Sequence, residues 1–244
     1  MRASTLFTLA CTACTALAHA NFDGSRCGAP EPPKALVKEA QKQLVLEDSG
    51  RDDTLFNPIN VTVYMHVVTT NASANNFTQK MLEDQLVYMN TYYNPWNISL
   101  HFGVNGTDFT VNDAWAFASA RSPEERAMKT ALRRGGYRDL NLYFLSDLGN
   151  GLLGFCYFPV DNPTVRQLTL DGCINLAGSL PGGNVPRYNL GGTAAHEAGH
   201  WFGLFHVFQG SACSGKGDYV SDTAIQSIAT NGTDDVCFRE LHFC

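Results

Sequence analysis

Residues 196–206 read His-Glu-Ala-Gly-His-Trp-Phe-Gly-Leu-Phe-His. On a helix, residues four apart stand one turn above each other on the same face. His196 and His200 therefore aim their imidazoles at one point. Such a pair suits zinc, whose catalytic sites take three protein ligands and keep one position open. His206 supplies the third ligand if the chain turns back after the helix. Gly203 permits that turn, because glycine takes a positive φ at little cost. Glu197 sits on the adjacent side of the same turn, offset from direct ligation, where a carboxylate can accept a proton from an attacking water. In such sites zinc acidifies water and polarises a carbonyl, which is the chemistry of amide hydrolysis. The plain alternative, two unrelated surface histidines, leaves Gly203 and His206 without a reason. His66 and His101 fall in strand-like stretches and are read as half-buried or surface residues rather than ligands.

A helix from about Thr193 to Gly203 must carry the pair, and a packed domain must hold that helix still. Upstream, Val61, Val63, Met65 and Val67 alternate with Thr62, Tyr64 and His66, the signature of a half-buried strand. Thr78 opens a helix to about Tyr92. Residues 98–104 alternate again. Ser122-Pro123-Glu124-Glu125 starts a helix that stops at Gly135-Gly136, with Ser122 as cap, Pro123 in the first turn and Glu125 closing a capping box. Residues 139–145 form a third strand, and Leu168 to Ile174 a fourth within the Gly- and Pro-rich region 147–192. Lys34 to Leu46 fits one amphipathic helix. Strands alternating with helices predict an α+β (mixed α/β) domain with a mixed sheet.

The chain has 244 residues, 44% hydrophobic and 16% charged, a balance that suits a packed globular protein. Its first twenty residues carry one charge, Arg2, then an apolar run ending in Ala18-His19-Ala20, and read as a secretory signal rather than a membrane anchor. Losing Arg2 takes the formal net charge from −6 to −7. No basic run is present, so nucleic acid is not an expected partner, and no other stretch is long and apolar enough to span a membrane. Six sequons, at Asn60, Asn71, Asn76, Asn97, Asn105 and Asn231, agree with secretion. Six cysteines follow the signal: Cys27, Cys156, Cys173, Cys213, Cys237 and Cys244. An even count in an oxidising compartment suggests disulfides, with Cys156 and Cys173 a candidate pair, but sequence does not fix connectivity. The expected organisation is a signal at 1–20, a pro-segment or N-terminal arm at 21–57, a catalytic domain at 58–237 and an anomalous tail at 238–244. Nothing indicates an oligomeric state.

The string His-Glu-x-x-His-x-x-Gly-x-x-His is the signature of the metzincin metallopeptidases. Its flanks narrow the resemblance. Leu190-Gly191-Gly192-Thr193-Ala194-Ala195 precedes it. Val207-Phe208-Gln209-Gly210, Cys213 and the run Gly217-Asp218-Tyr219-Val220-Ser221-Asp222-Thr223 follow it. With Asp139 to Leu145 and Leu152 to Pro159, these stretches resemble the pappalysin (cytophagalysin) family, in particular its secreted fungal extracellular metalloproteases. The resemblance implies a twisted mixed sheet over the active-site helix, one zinc on His196, His200 and His206, Glu197 as general base, and extended peptide substrates bound along a sheet edge. It further implies a Cys213–Cys237 disulfide and calcium near Asp218–Thr223. The function it implies is that of a secreted zinc endopeptidase acting on extracellular proteins.

Metzincins also carry a methionine turn beneath the zinc. Met1, Met65, Met81, Met89 and Met128 all precede His206. The resemblance therefore implies that the C-terminal subdomain is truncated here, through a shortened gene product or a mis-spliced reading. A second functional reading follows: a zinc-binding glycoprotein of impaired catalysis that binds peptides without cleaving them. Arg26-Cys27-Gly28-Ala29-Pro30 looks like a cysteine switch, whose thiolate would occupy zinc's open position. The alternative reading of Cys27 is a structural disulfide.

Overall fold

The computed structural model describes residues 26–49, 57–229 and Cys237. The signal at 1–20, the tail at 238–244 and the Asn231 sequon lie outside the described residues.

Strands β1 (Ile59–Thr69), β2 (Ile98–Val111), β3 (Leu140–Leu145), β4 (Gly154–Cys156) and β5 (Cys173–Leu176) form one sheet in the order β2-β1-β3-β5-β4. The first four in that order run parallel, and β4 closes one edge antiparallel to β5. Helices α1 (Lys34–Asp48), α2 (Gln79–Tyr93), α3 (Pro123–Leu132), α4 (Val165–Leu170) and α5 (Gly192–Trp201) complete the fold, which is the mixed α/β architecture expected. Parallel strands need long crossovers, usually helical, and α2 supplies the one between β1 and β2.

The alternation in β1 works as read: Val61, Val63, Met65 and Val67 join Leu82 and Met89 of α2 and Ala194 and Ala198 of α5 in one core. A second core lies on the other face, where Val68, Tyr143, Leu145 and Ile174 meet Met128 of α3. The half-buried alternation holds as far as Tyr64, but from Met65 onward β1 is an inner strand buried on both faces. His66 is fully buried, with Nδ1 2.7 Å from Asp108 Oδ2 and Nε2 3.0 Å from Asn141 Oδ1. It is a satisfied polar residue between three strands. His101 is exposed.

Several local expectations are sharpened. The residue 98–104 strand continues to Val111 past an irregularity: Val63 pairs with Phe102, but Met65 pairs with Thr107. The strand read over Leu168–Ile174 is displaced. Thr164 and Gln167 form a capping box that nucleates α4 through Leu170, and β5 starts only at Cys173. Gly172 separates them at φ +94, where a Cβ would lie 2.4 Å from Asn141 O. Ser122 caps α3, accepting from Glu125 N at 3.0 Å. The Glu125 carboxylate takes Arg121 N at 2.6 Å instead of closing the box on Ser122. Buried Glu125 also pairs with buried Lys129 at 2.9 Å.

Candidate metal centre

Helix α5 follows its N-cap Gly191 (φ +98) and is anchored from several sides. Gln85 Nε2 donates to Gly191 O at 2.9 Å, and Tyr93 OH donates to Ala195 O at 2.8 Å. At the far end, Trp201 Nε1 donates to Asp171 Oδ1 at 3.0 Å, and Arg133 holds the other carboxylate oxygen at 2.8 Å. The helix then ends in a Schellman turn: Leu204 N donates to Gly199 O and Gly203 N to His200 O, both at 2.9 Å. Gly203 has φ +98, as the sequence required. That turn swings His206 back toward the helix.

The three histidines meet at one point. His196 and His206 Nε2 atoms are 3.3 Å apart, His196 and His200 3.2 Å, and His200 and His206 3.1 Å. A tetrahedral zinc with nitrogens at about 2.0 Å requires them about 3.3 Å apart. The triangle therefore fits zinc closely. The tautomer suits as well. His200 Nδ1 is 2.7 Å from Leu204 O, so it carries the proton and leaves Nε2 a lone pair. Burial first, then mutual proximity, pushes His196 down to about 4 and His206 to about 3; burial also lowers His200. Neutral imidazoles are what a metal needs. Phe158 meets the His200 ring edge-on at 5.3 Å, and Phe208 stacks on His206 at 4.5 Å.

Glu197 is buried beside this triangle, and burial pushes its carboxyl up to about 8. Its packing depends on Gly154 of β4. A Cβ there would lie 2.8 Å from Glu197 Cγ and 3.0 Å from Oε1. Sequence reasoning missed both β4 and this glycine; the three-residue strand is too short to show periodicity.

The fourth corner is filled from 170 residues away. Cys27 Sγ lies 3.3 Å from His200 Nε2 and donates to Glu197 Oε2 at 3.4 Å. Cys27, His196, His200 and His206 form the one group of three or more potential metal ligands among the described residues, all ligand atoms within 4.8 Å. Burial and the Glu197 charge push the thiol upward. The arm that carries Cys27 lies along the β4 edge. Leu153 N donates to Arg26 O and Gly28 N to Gly154 O, both at 2.8 Å, in a parallel bridge. Disulfides join Cys156 to Cys173 and Cys213 to Cys237. Cys27 is in neither and is a thiol.

The remaining site expectations are distributed over the surface. Asn60, Asn71, Asn76, Asn97 and Asn105 are all exposed. Asp218 Oδ1 accepts from Val220 N at 3.2 Å. Asp218 and Asp222 gather no third histidine, cysteine or carboxylate ligand among the described residues. No helix among the described residues is long and apolar enough to cross a membrane.

Comparison with known proteins agrees with this geometry. Residues 135–243 match peptidase family M43, described as pregnancy-associated plasma protein-A. An extracellular metalloprotease of Pyricularia oryzae is 46% identical over 234 residues, covering 93% of this chain and 79% of that protein. Extracellular metalloprotease 1 of Coccidioides posadasii is 44% identical over 220 residues, covering 89% and 76%. Among solved structures, Tannerella forsythia mature mirolysin in complex with a cleaved peptide matches at TM-score 0.52 and 25% identity, covering 69% of this chain and 72% of that one. A histidine triangle of zinc dimensions, on a fold shared with mirolysin and in a sequence shared with these fungal enzymes, makes the chain an extracellular metalloprotease of the pappalysin (M43) family.

Proposed function

We propose that His196, His200 and His206 hold one zinc ion through Nε2, and that Glu197 is the general base in hydrolysis of peptide bonds of extracellular proteins. The observation that carries this is the Nε2 triangle, 3.1 to 3.3 Å on a side, with Glu197 buried against it. Zinc, when bound, supplies Lewis acidity and an acidified water. Glu197 accepts the water's proton on its carboxylate and returns it to the departing amine. The β4 edge holds the substrate's main chain, using the Leu153 N–H and Gly154 C=O that now pair with the arm. Residues 26–49 keep the chain latent, with the Cys27 sulfur as a fourth, soft ligand that excludes water until the arm is displaced.

Zinc alone accounts for this chemistry; calcium, which the resemblance implied near Asp218–Thr223, is not needed for it. The five exposed sequons are proposed to carry N-glycans.

The test compares the full chain with its Glu197→Ala variant, each treated with an organomercurial to block Cys27. Treated wild type is expected to cleave a denatured protein. The variant is expected to retain one zinc per chain and to lose cleavage. Wild-type turnover by the variant would remove Glu197 from the mechanism. No activation on treatment would remove Cys27 from latency.

A further inference from the structure

Beyond the metal centre, the arm continues from Cys27 past a second feature of the cleft. Pro30, Glu31 and Pro33 wall one side of a cavity of about 270 Å³ next to Tyr157, Phe158 and Val160, the stretch that follows β4. The rest of its lining is rich in hydrogen-bond donors. Arg121 and Arg166 both line it, both are exposed, and neither makes an ion pair with a described residue. Tyr137 OH accepts from Val160 N at 2.9 Å and keeps its own proton for another acceptor. Gln167 spends Oε1 on Thr164 and keeps its amide N–H groups. The cavity's one carboxylate outside the arm, Asp171, is already committed to Arg133 and Trp201. Two arginines, a phenol and an amide thus line one cavity whose single carboxylate outside the arm is already committed.

The arm itself brings an acid there. Glu31 lines the cavity, its carboxylate held from the other side by Gln209 Nε2 at 3.0 Å. When the arm leaves, Glu31 leaves with it, and Arg121 and Arg166 face solvent together.

We infer that Arg121 and Arg166, with Tyr137 and Gln167, form a specificity subsite that takes an acidic side chain of the substrate. The inference rests on the proposed peptidase activity and names what that activity selects. An extended chain on the β4 edge advances about 3.3 Å per residue. Glu31 lies four residues beyond Cys27, which sits at the histidines, so the selected acid lies about three to five residues from the scissile bond. Planar guanidinium forks suit carboxylates.

The test uses the full chain treated with an organomercurial and a peptide series in which Glu or Gln is placed at each position in turn. At one position, three to five residues from the cut, Glu is expected to raise kcat/KM about fivefold over Gln, the scale of a partly exposed ion pair. The preference is expected to shrink with added salt and to vanish in Arg121→Gln/Arg166→Gln. Equal cleavage of Glu and Gln peptides at every position would overturn the subsite, as would a preference that survives in the double variant. Should the double variant fail to fold, the single Arg166→Gln change on the exposed face of α4 is expected to lower the preference at least twofold; an unchanged preference overturns the inference. A parallel arm measures binding of fluorescent Glu and Gln peptides to treated Glu197→Ala by anisotropy. If wild type cleaves nothing but the Glu peptide binds about fivefold tighter, the peptidase reading fails and the subsite stands. Equal binding of the two peptides overturns the subsite.

Discussion

The packing of Gly154 against Glu197 gives the sharpest test. Gly154→Ala adds one methyl group facing Glu197. Built on the existing backbone, that Cβ lies 2.8 Å from Glu197 Cγ, 3.0 Å from Glu197 Oε1 and 3.0 Å from Ile174 O. Carbon atoms in contact prefer about 3.5–4.0 Å, so the glutamate must retreat by about 1 Å or β4 must pull away from β5. Cγ is not the far end of a flexible side chain, and Ile174 O belongs to the sheet backbone, so neither yields freely. Overpacking of this kind costs about 1–3 kcal/mol. For a domain of this size that is about 2–12 °C in Tm. A 1 Å misplacement of a group that must act on the reacting atoms costs about 100-fold. The three atoms nearest the added methyl group belong to Glu197 and Ile174 and none to a histidine, so zinc content is expected to stay at one per chain. The assay is kcat on a denatured protein substrate after organomercurial treatment, with zinc by atomic absorption and Tm by calorimetry. Expected is a fall in kcat of about 100-fold with zinc retained. Turnover within twofold of wild type would refute the argument that Gly154 sets the position of Glu197.

Two further substitutions probe the supports of the site. Gly203→Ala has room for its Cβ, which would lie 3.6 Å from its nearest neighbours, Leu36 and Pro159, but it must hold φ +98. That strain is about 1–3 kcal/mol, and because the turn returns His206 to the triangle, competition with a chelator should show weakened zinc binding; unchanged affinity and Tm would contradict it. Lys129→Ala strips the cationic partner from fully buried Glu125 and the donor from Leu170 O and Gly172 O. A stability loss of about 3–5 kcal/mol is expected from denaturant titration, and a loss below 1 kcal/mol would mean that the pair is not buried in solution.

The amino-acid sequence carried the chemistry of this protein in eleven consecutive residues. Ligand type, the i,i+4 spacing of His196 and His200, and the glycine that turns His206 back are all local properties, legible because helix geometry alone relates them. Five helices and strands beginning near residues 34, 59, 79, 98 and 123 were legible for the same reason: caps and periodicity act over a few residues. The strand expected over 168–174 was misplaced where a capping box at Thr164 outweighed a run of apolar residues.

What lay beyond reach was set by chain crossings. His66 looked half-buried because alternation describes one strand, whereas burial depends on the two strands and two layers packed around it. Gly154 and Glu197 are 43 residues apart, and no periodicity links them. The sequence leaves Cys27 open between a switch and a disulfide, since a thiol's partner is decided by which chain segment the fold brings to it. The sequence by itself determined which atoms can bind a metal and move a proton. The tertiary structure decided which atoms surround them: a glycine that makes room for the carboxylate, and an arm whose sulfur stands 3.3 Å from a histidine nitrogen. Local geometry is encoded residue by residue, whereas proximity across the fold exists only once the core has closed.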